Sequence, residues 1–257
     1  LEIVVPNKVA NDVVATGFYL AKLMKKIPVR ASVCDGFIGN RILNKYGDCA
    51  YFIMEDGATP YEIDKAIFEF GYPMGPFQMF DLAGGDIGWA MRKRLEPMRD
   101  KNERYVHIPD KLCEKGWFGQ KTGRGFYRYD KGNRRGDEDP EVLEIINLER
   151  QKKSIIPTKF SQEEIIRRYM AAMINEAADV VHEKIALRPS DVDVTKLYGY
   201  GFPRYRGGPM KYADSYGLDK ILDDLREFEK EDPVFWKPSS IIIELVRNGN
   251  NFDSLNK

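Results

Sequence analysis

The sequence predicts an all-α fold: two tandem copies of one helical unit packed as a pseudo-dimer, after a short extended N-terminal segment. Three observations predict it. Asp35-Gly36-Phe37-Ile38-Gly39-Asn40-Arg41 opens an amphipathic helix, and Gly71-Tyr72-Pro73-Met74-Gly75-Pro76-Phe77 closes a second one. A weaker version of this layout returns as Gly201-Phe202-Pro203 and Gly207-Gly208-Pro209-Met210. The spacing is kept, because the offset from Gly75 to Gly208 equals that from Asp81 to Asp214, 133 residues. Two copies are too few for a solenoid, but two similar units with apolar faces can pair.

The elements follow in order. Leu1–Val5 is a short apolar run suited to the end of a strand. Asn11 can cap a helix to about Lys26, and Pro28–Val33 returns to extended structure. The long helix of the first motif runs from about Phe37 to Glu55 and stops at Gly57, a residue suited to a left-handed cap. Thr59-Pro60-Tyr61-Glu62 is a capping box with proline at the first helical position, and Gly71 ends that helix. Shorter helices are expected near Pro76–Leu82, Asp86–Arg94 and Pro109–Lys115.

Trp117–Tyr129 sets Gly119, Gly123 and Gly125 among basic and aromatic residues, which predicts a tight loop and a short strand. Asp130–Asp139 reads as a linker, and a charged helix follows from about Pro140 to Lys153. Ser161-Gln162-Glu163-Glu164 is a second capping box heading a long helix to about Lys184. Pro189 and Ser190 begin a shorter helix that ends near Gly199, and a last one reaches Tyr216 before Gly217. The boundaries predicted are 1–33 for the extended segment and its connection, 34–130 for the first copy, 131–160 for linker and charged helix, and 161–257 for the degenerate second copy.

Composition narrows the function. A chain of 257 residues that is 43% hydrophobic can bury a sizeable core. With 40 basic and 40 acidic residues there is no global field to attract nucleic acid or a membrane surface. Arg92-Lys93-Arg94 reads as a solvated helix face. Cys34, Cys49 and Cys113 lack CxxC spacing and clustered histidines, so no metal site is expected, and an odd count suits a reducing compartment. No apolar run approaches the roughly 20 residues of a membrane span. The start lacks a basic leader and a methionine, so a secreted protein is not expected and a longer parent is.

Read locally, few residues carry chemistry. Asn40 stands in the first turn of its helix beside Gly36 and Gly39, which permit close approach, and its amide can donate to a carbonyl or accept from a hydroxyl. It can equally cap its own helix. Glu2 alone is a carboxylate at a strand end, Lys121 in its glycine-rich loop can reach a phosphate or point into water, and Tyr198 can face core or ligand. His107 and His182 lie near no nucleophile and read as structural or exposed, and GxGxxG, P-loop and HExxH motifs are missing.

Taken together, Asp35–Arg41, Gly71–Phe77 and Gly119–Tyr127 closely resemble the C-terminal region of the 3-hydroxyacyl-CoA dehydrogenases. The repeat resembles the multifunctional fatty-acid oxidation enzymes, where the second copy stands in place of a partner subunit. The resemblance implies an NAD-dependent oxidation of (3S)-3-hydroxyacyl-CoA to 3-ketoacyl-CoA. It implies acyl-CoA as substrate, with a Rossmann domain and a hydratase domain in the same polypeptide. Leu1–Val5 would then be the end of that Rossmann domain. Glu2 matches the glutamate that orients the catalytic histidine, 38 residues before Asn40 as the family pattern requires. Asn40 matches the asparagine on the substrate oxygen, Lys121 a lysine that reaches NAD, and Tyr198 a substrate-contacting tyrosine of the second repeat.

Asp35 and Lys45 stand where the family often has proline, away from the implied chemistry. The catalytic histidine belongs about a dozen residues before Glu2, outside this chain, so the chain alone is expected to be inactive. The compartment implied is a bacterial cytoplasm or a peroxisomal matrix. Against this stands a non-catalytic packing or dimerisation module. Helical-domain dehydrogenases of sugar acids are disfavoured, since they lack the two glycine motifs.

Overall fold

The computed structural model describes residues 1–130 and 132–256. Lys131 and Lys257, which bound the predicted linker and second copy, lie outside the described residues. Among the described residues twelve α-helices dominate two short strand pairs, an all-α architecture. No helix among them is long and apolar enough to cross a membrane, and no group of three or more His, Cys, Asp or Glu side chains is placed to hold a metal. The chain divides into two compact units, Leu1–Tyr46 with Arg167–Lys257, and Gly47–Ile166.

The first unit begins with β1 (Glu2–Val4), α1 (Asn11–Leu23) and β2 (Val29–Ala31). The two strands pair in parallel, Glu2 opposite Val29 and Val4 opposite Ala31, as strands joined through a helix do. Ala10 rather than Asn11 sits at the N-cap of α1, and α1 ends before the expected Lys26 because Lys25 takes a left-handed φ of 55°. The unit then takes the start of α2 (Gly39–Asp56), most of α8 (Gln162–His182), α9 (Pro189–Gly199), α10 (Pro209–Tyr216), α11 (Leu218–Glu229) and α12 (Ser240–Arg247). Its core holds Ile38, Ile42, Ile174, Ala177, Val192, Phe202, Leu225 and Phe252. Arg41 ties α2 to α8, with Nε 2.6 Å from Glu176 and the guanidinium forked onto Glu183 at 2.5 and 2.8 Å. Such bidentate pairs fix geometry as well as adding energy.

The second unit continues α2 into α3 (Pro60–Phe70), α4 (Pro76–Ala83), α5 (Gly85–Leu95), α6 (Ile108–Glu114) and α7 (Pro140–Lys152). Thr59 caps α3 as its box predicts: the Glu62 backbone N–H donates to the threonine hydroxyl at 3.1 Å, and Glu62 accepts from the Thr59 N–H at 2.7 Å. Gly57 is not the left-handed cap expected, since its φ of 158° is almost extended. The end of α2 is satisfied instead by the buried Arg150 guanidinium, which donates to the carbonyls of Met54, Glu55 and Ala58 at 2.6–3.1 Å. The stretch read as a linker is partly structured too. β4 (Asp137–Glu138) pairs antiparallel with β3 (Tyr127–Arg128), and Asp139 is buried against Tyr61 and Arg124.

One hydrogen-bond device occurs in both units. Asp64, fifth residue of α3, accepts from the backbone N–H groups of Phe77 and Gln78 at the start of α4 (2.8 and 2.9 Å). Asp193, fifth residue of α9, does the same for Met210 and Lys211 at the start of α10 (2.8 and 3.2 Å). Asp81 in α4 then accepts from Phe126 and Tyr127, and Asp214 in α10 from Phe252 and Asp253. Each carboxylate satisfies backbone donors that would otherwise be orphaned, two of the pairs at helix starts.

Candidate functional site at the start of the first long helix

The turn Asp35-Gly36-Phe37 sets the site. Gly36 takes a φ of 81° and Phe37 one of 49°, and a Cβ on Gly36 would overlap the Arg41 backbone nitrogen. The turn aims the first free N–H groups of α2 at β1, where Glu2 receives them. Its two carboxylate oxygens accept from Ile38 N–H (2.8 Å) and Gly39 N–H (3.1 Å). Glu2 therefore caps the helix, and the helix end favours negative charge there. Each carboxylate oxygen keeps a lone pair for a second donor.

Asn40 does not cap its own helix. Its Oδ1 accepts from the Tyr200 hydroxyl at 2.8 Å, and its Nδ2 has no partner among the described residues. Tyr200 lies just past α9, its ring against Gly39 so closely that a Cβ there would overlap it. The ring also meets Lys196, whose Nζ stands 3.9 Å from the Tyr200 centroid and 4.5 Å from that of Tyr46. The lysine is fully buried and donates to the Tyr46 hydroxyl at 2.9 Å. Burial holds Lys196 well below its ordinary value of 10.5, and the nearby Glu2 charge pulls it back up. Burial also pushes Tyr200 up to about 12, helped by Glu2, so its hydroxyl keeps its proton at neutral pH. Glu2, Asn40, Tyr200, Lys196 and Tyr46 form one cluster in the first unit.

Lys196 makes this cluster dependent on pH. It is the partner whose charge is expelled by folding, so the folded chain binds fewer protons than the unfolded one and stability rises with pH up to about 10.5. Lys196→Met removes that dependence. Relative to the wild type, the variant is expected to be most stable near pH 6 and to lose that advantage toward pH 10. Thermal unfolding at both values checks this, and an equal difference at both would contradict it.

Lys121 belongs to the second unit, in the loop between α6 and β3. Its ammonium is ion-paired with Asp86 and half exposed, and it holds the Asp86 carboxyl below its usual range. Tyr198 stands in the last turn of α9, 58% exposed, with the Arg204 guanidinium 5.1 Å from its ring centroid. It faces solvent rather than core.

The model for the 3-hydroxyacyl-CoA dehydrogenase C-terminal domain matches residues 36–129 and 165–253. The chain belongs to this family. It is 41% identical over 264 aligned positions to a peroxisomal bifunctional enzyme of Danio rerio, covering 97% of this chain and 37% of that relative. The dehydrogenase part of a multifunctional enzyme from C. elegans superposes with a TM-score of 0.70 at 26% identity, over 95% of this chain and 55% of that one. A 3-hydroxybutyryl-CoA dehydrogenase from Escherichia coli shares the fold, with a TM-score of 0.74 at 20% identity over 95% of this chain and 66% of that one. The chain thus spans little more than a third of the length of the bifunctional relative.

Of the residues singled out from the sequence, Glu2 and Asn40 both stand at the start of α2, Glu2 through its bonds to the Ile38 and Gly39 N–H groups. Sequence reading missed Tyr200, Lys196 and Tyr46. A signal for Lys196 was present: it lies four residues after the buried Val192, hence on the inner face of α9. Tyr200, set between Gly199 and Gly201, carried no signal to choose it over Tyr198.

Proposed function

We propose that this chain is the helical C-terminal part of a (3S)-3-hydroxyacyl-CoA dehydrogenase, within a multifunctional enzyme of fatty-acid β-oxidation. One observation carries the reading: a carboxylate and an amide with a free N–H end are held side by side at the start of α2. In this reading Asn40 Nδ2 donates to the substrate's 3-oxygen as it changes from hydroxyl to ketone, stabilising the charge that develops on it. Glu2, already fixed by two backbone donors, orients a histidine lying ahead of Leu1 and stabilises its protonated form once it has taken the hydroxyl proton. Tyr198 offers an exposed ring to the acyl-CoA.

NAD, when bound, would accept the hydride from C3. This chain's residues suit only an edge of such a dinucleotide, because the Lys121 charge is already offset by Asp86 and the sequence has no glycine-rich phosphate cradle. Lys121 would hydrogen-bond a hydroxyl or phosphate at that edge. The parallel pair β1–β2 with the exposed Val13, Tyr19, Leu20 and Leu23 of α1 favours a Rossmann domain that continues this sheet. A hydratase domain would precede it in the same polypeptide. The two stretches matched by the family model, and the aspartate device found in each unit, favour two copies of one domain within the chain. The relative's name favours a peroxisomal matrix.

The test is NADH-linked reduction of acetoacetyl-CoA. The complete polypeptide carrying this sequence is expected to turn over, and the 257-residue chain by itself is not. An inactive complete polypeptide would refute the function. An active isolated chain would refute the placing of base and dinucleotide fold outside it.

A further inference from the structure

An asparagine amide has two unlike ends, and only one of them suits an oxygen that gains negative charge. If Oδ1 faced the substrate, it would repel a ketone or alkoxide oxygen instead of donating to it. The orientation must therefore be set by something other than the substrate. Among the described residues, the one polar group hydrogen-bonded to the Asn40 side chain is the Tyr200 hydroxyl, donating to Oδ1 at 2.8 Å. Turning the amide round would break this hydrogen bond and set a donor, Nδ2, where the hydroxyl now finds an acceptor.

We propose that Tyr200 is a positioning residue: with its ring held against Gly39 and Lys196, its hydroxyl occupies Asn40 Oδ1 and so presents Nδ2 to the acyl-CoA oxygen. This deepens the reading of Asn40 given above and rests on it. Two contacts hold the ring. A Cβ at residue 39 would overlap the ring, which gives the glycine of the Ile38-Gly39-Asn40 motif a reason. The Lys196 amine stands over both the Tyr200 and Tyr46 rings and is itself tied to the Tyr46 hydroxyl. A ring held so cannot follow the amide if it turns. Lys196 acts through Tyr200, and Tyr200 through Asn40.

The experiment is a double-mutant cycle in the complete polypeptide, with acetoacetyl-CoA and NADH as probes. Tyr200→Phe keeps the ring and removes the hydroxyl. It is expected to lower kcat about 10-fold, the effect of one lost hydrogen bond, with KM within about 2-fold and Tm unchanged. Added to Asn40→Ala, it is expected to cost nothing further, since the group it orients is gone. Asn40→Asp keeps an acceptor for Tyr200 but removes the amide hydrogens, and is expected to be as slow as Asn40→Ala. The proposal is overturned if Tyr200→Phe leaves kcat within about 2-fold of wild type while Asn40→Ala is slow, if the two losses multiply, or if Asn40→Asp stays active. A fast Asn40→Ala enzyme would instead sink the underlying reading of Asn40, and this proposal with it.

Discussion

Asn40→Ala in the complete polypeptide is expected to lower kcat by about 10²-fold while leaving Tm nearly unchanged. The magnitude is that of a donor aimed at developing oxyanion charge, removed from a preorganised site. The small stability effect follows from the structure. Asn40 is exposed, its side chain takes only the Tyr200 hydroxyl, and the α2 start is capped by Glu2 instead. Steady-state kinetics and thermal unfolding of the same preparation check both halves. A module that serves packing alone gives the reverse pattern, with turnover kept and stability reduced.

Asp64→Ala is expected to destabilise the chain by about 3–5 kcal/mol, because it strands buried donors without shortening any of them. The Phe77 and Gln78 N–H groups lose their acceptor, and so does the Tyr127 hydroxyl, 2.9 Å from Asp64. A fall of roughly 10 °C in Tm corresponds to this at the chain's size. Asp64→Asn, which keeps one acceptor, is expected to cost less. Burial pushes Asp64 up to about 7, against the pull of those three donors. The folded chain therefore holds a proton there that the unfolded chain, with its carboxyl near 3.8, has released. That stability is complete below about pH 4 and is lost as the pH rises through about 7. The wild type's advantage over Asp64→Asn should accordingly narrow between pH 5 and 8. Unfolding curves of both proteins at the two pH values test it, and a widening gap would contradict it.

How far the sequence could be read depended on the range of the interactions. Thr59-Pro60-Tyr61-Glu62 announced α3 because a capping box is made of near neighbours, and the same holds for the Pro189 start of α9. Asn40 stood out because Gly36 and Gly39 precede it closely, but its partner Tyr200 is 160 residues away and no local pattern links them. Gly57 looked like a left-handed cap until Arg150, far along the chain, supplied the donors that end α2. Asp130–Asp139 looked like a linker because glycine and charge punctuate it, yet Asp139 is buried through its bonds to Tyr61 and Arg124. Glu2 was legible as a site residue only through family resemblance, since a lone carboxylate at a strand end is unremarkable. Its cap on α2 follows from β1 being placed against the Gly36 turn.

The central claim is that the amide of Asn40 meets the reacting oxygen of an acyl-CoA. A crystal structure of the complete polypeptide with acetoacetyl-CoA measures it directly. The 3-oxygen is expected about 3 Å from Asn40 Nδ2, with Oδ1 still bonded to Tyr200 and a histidine on the Glu2 carboxylate. A 3-oxygen bound away from the start of α2, with Asn40 touching only protein or solvent, would contradict it.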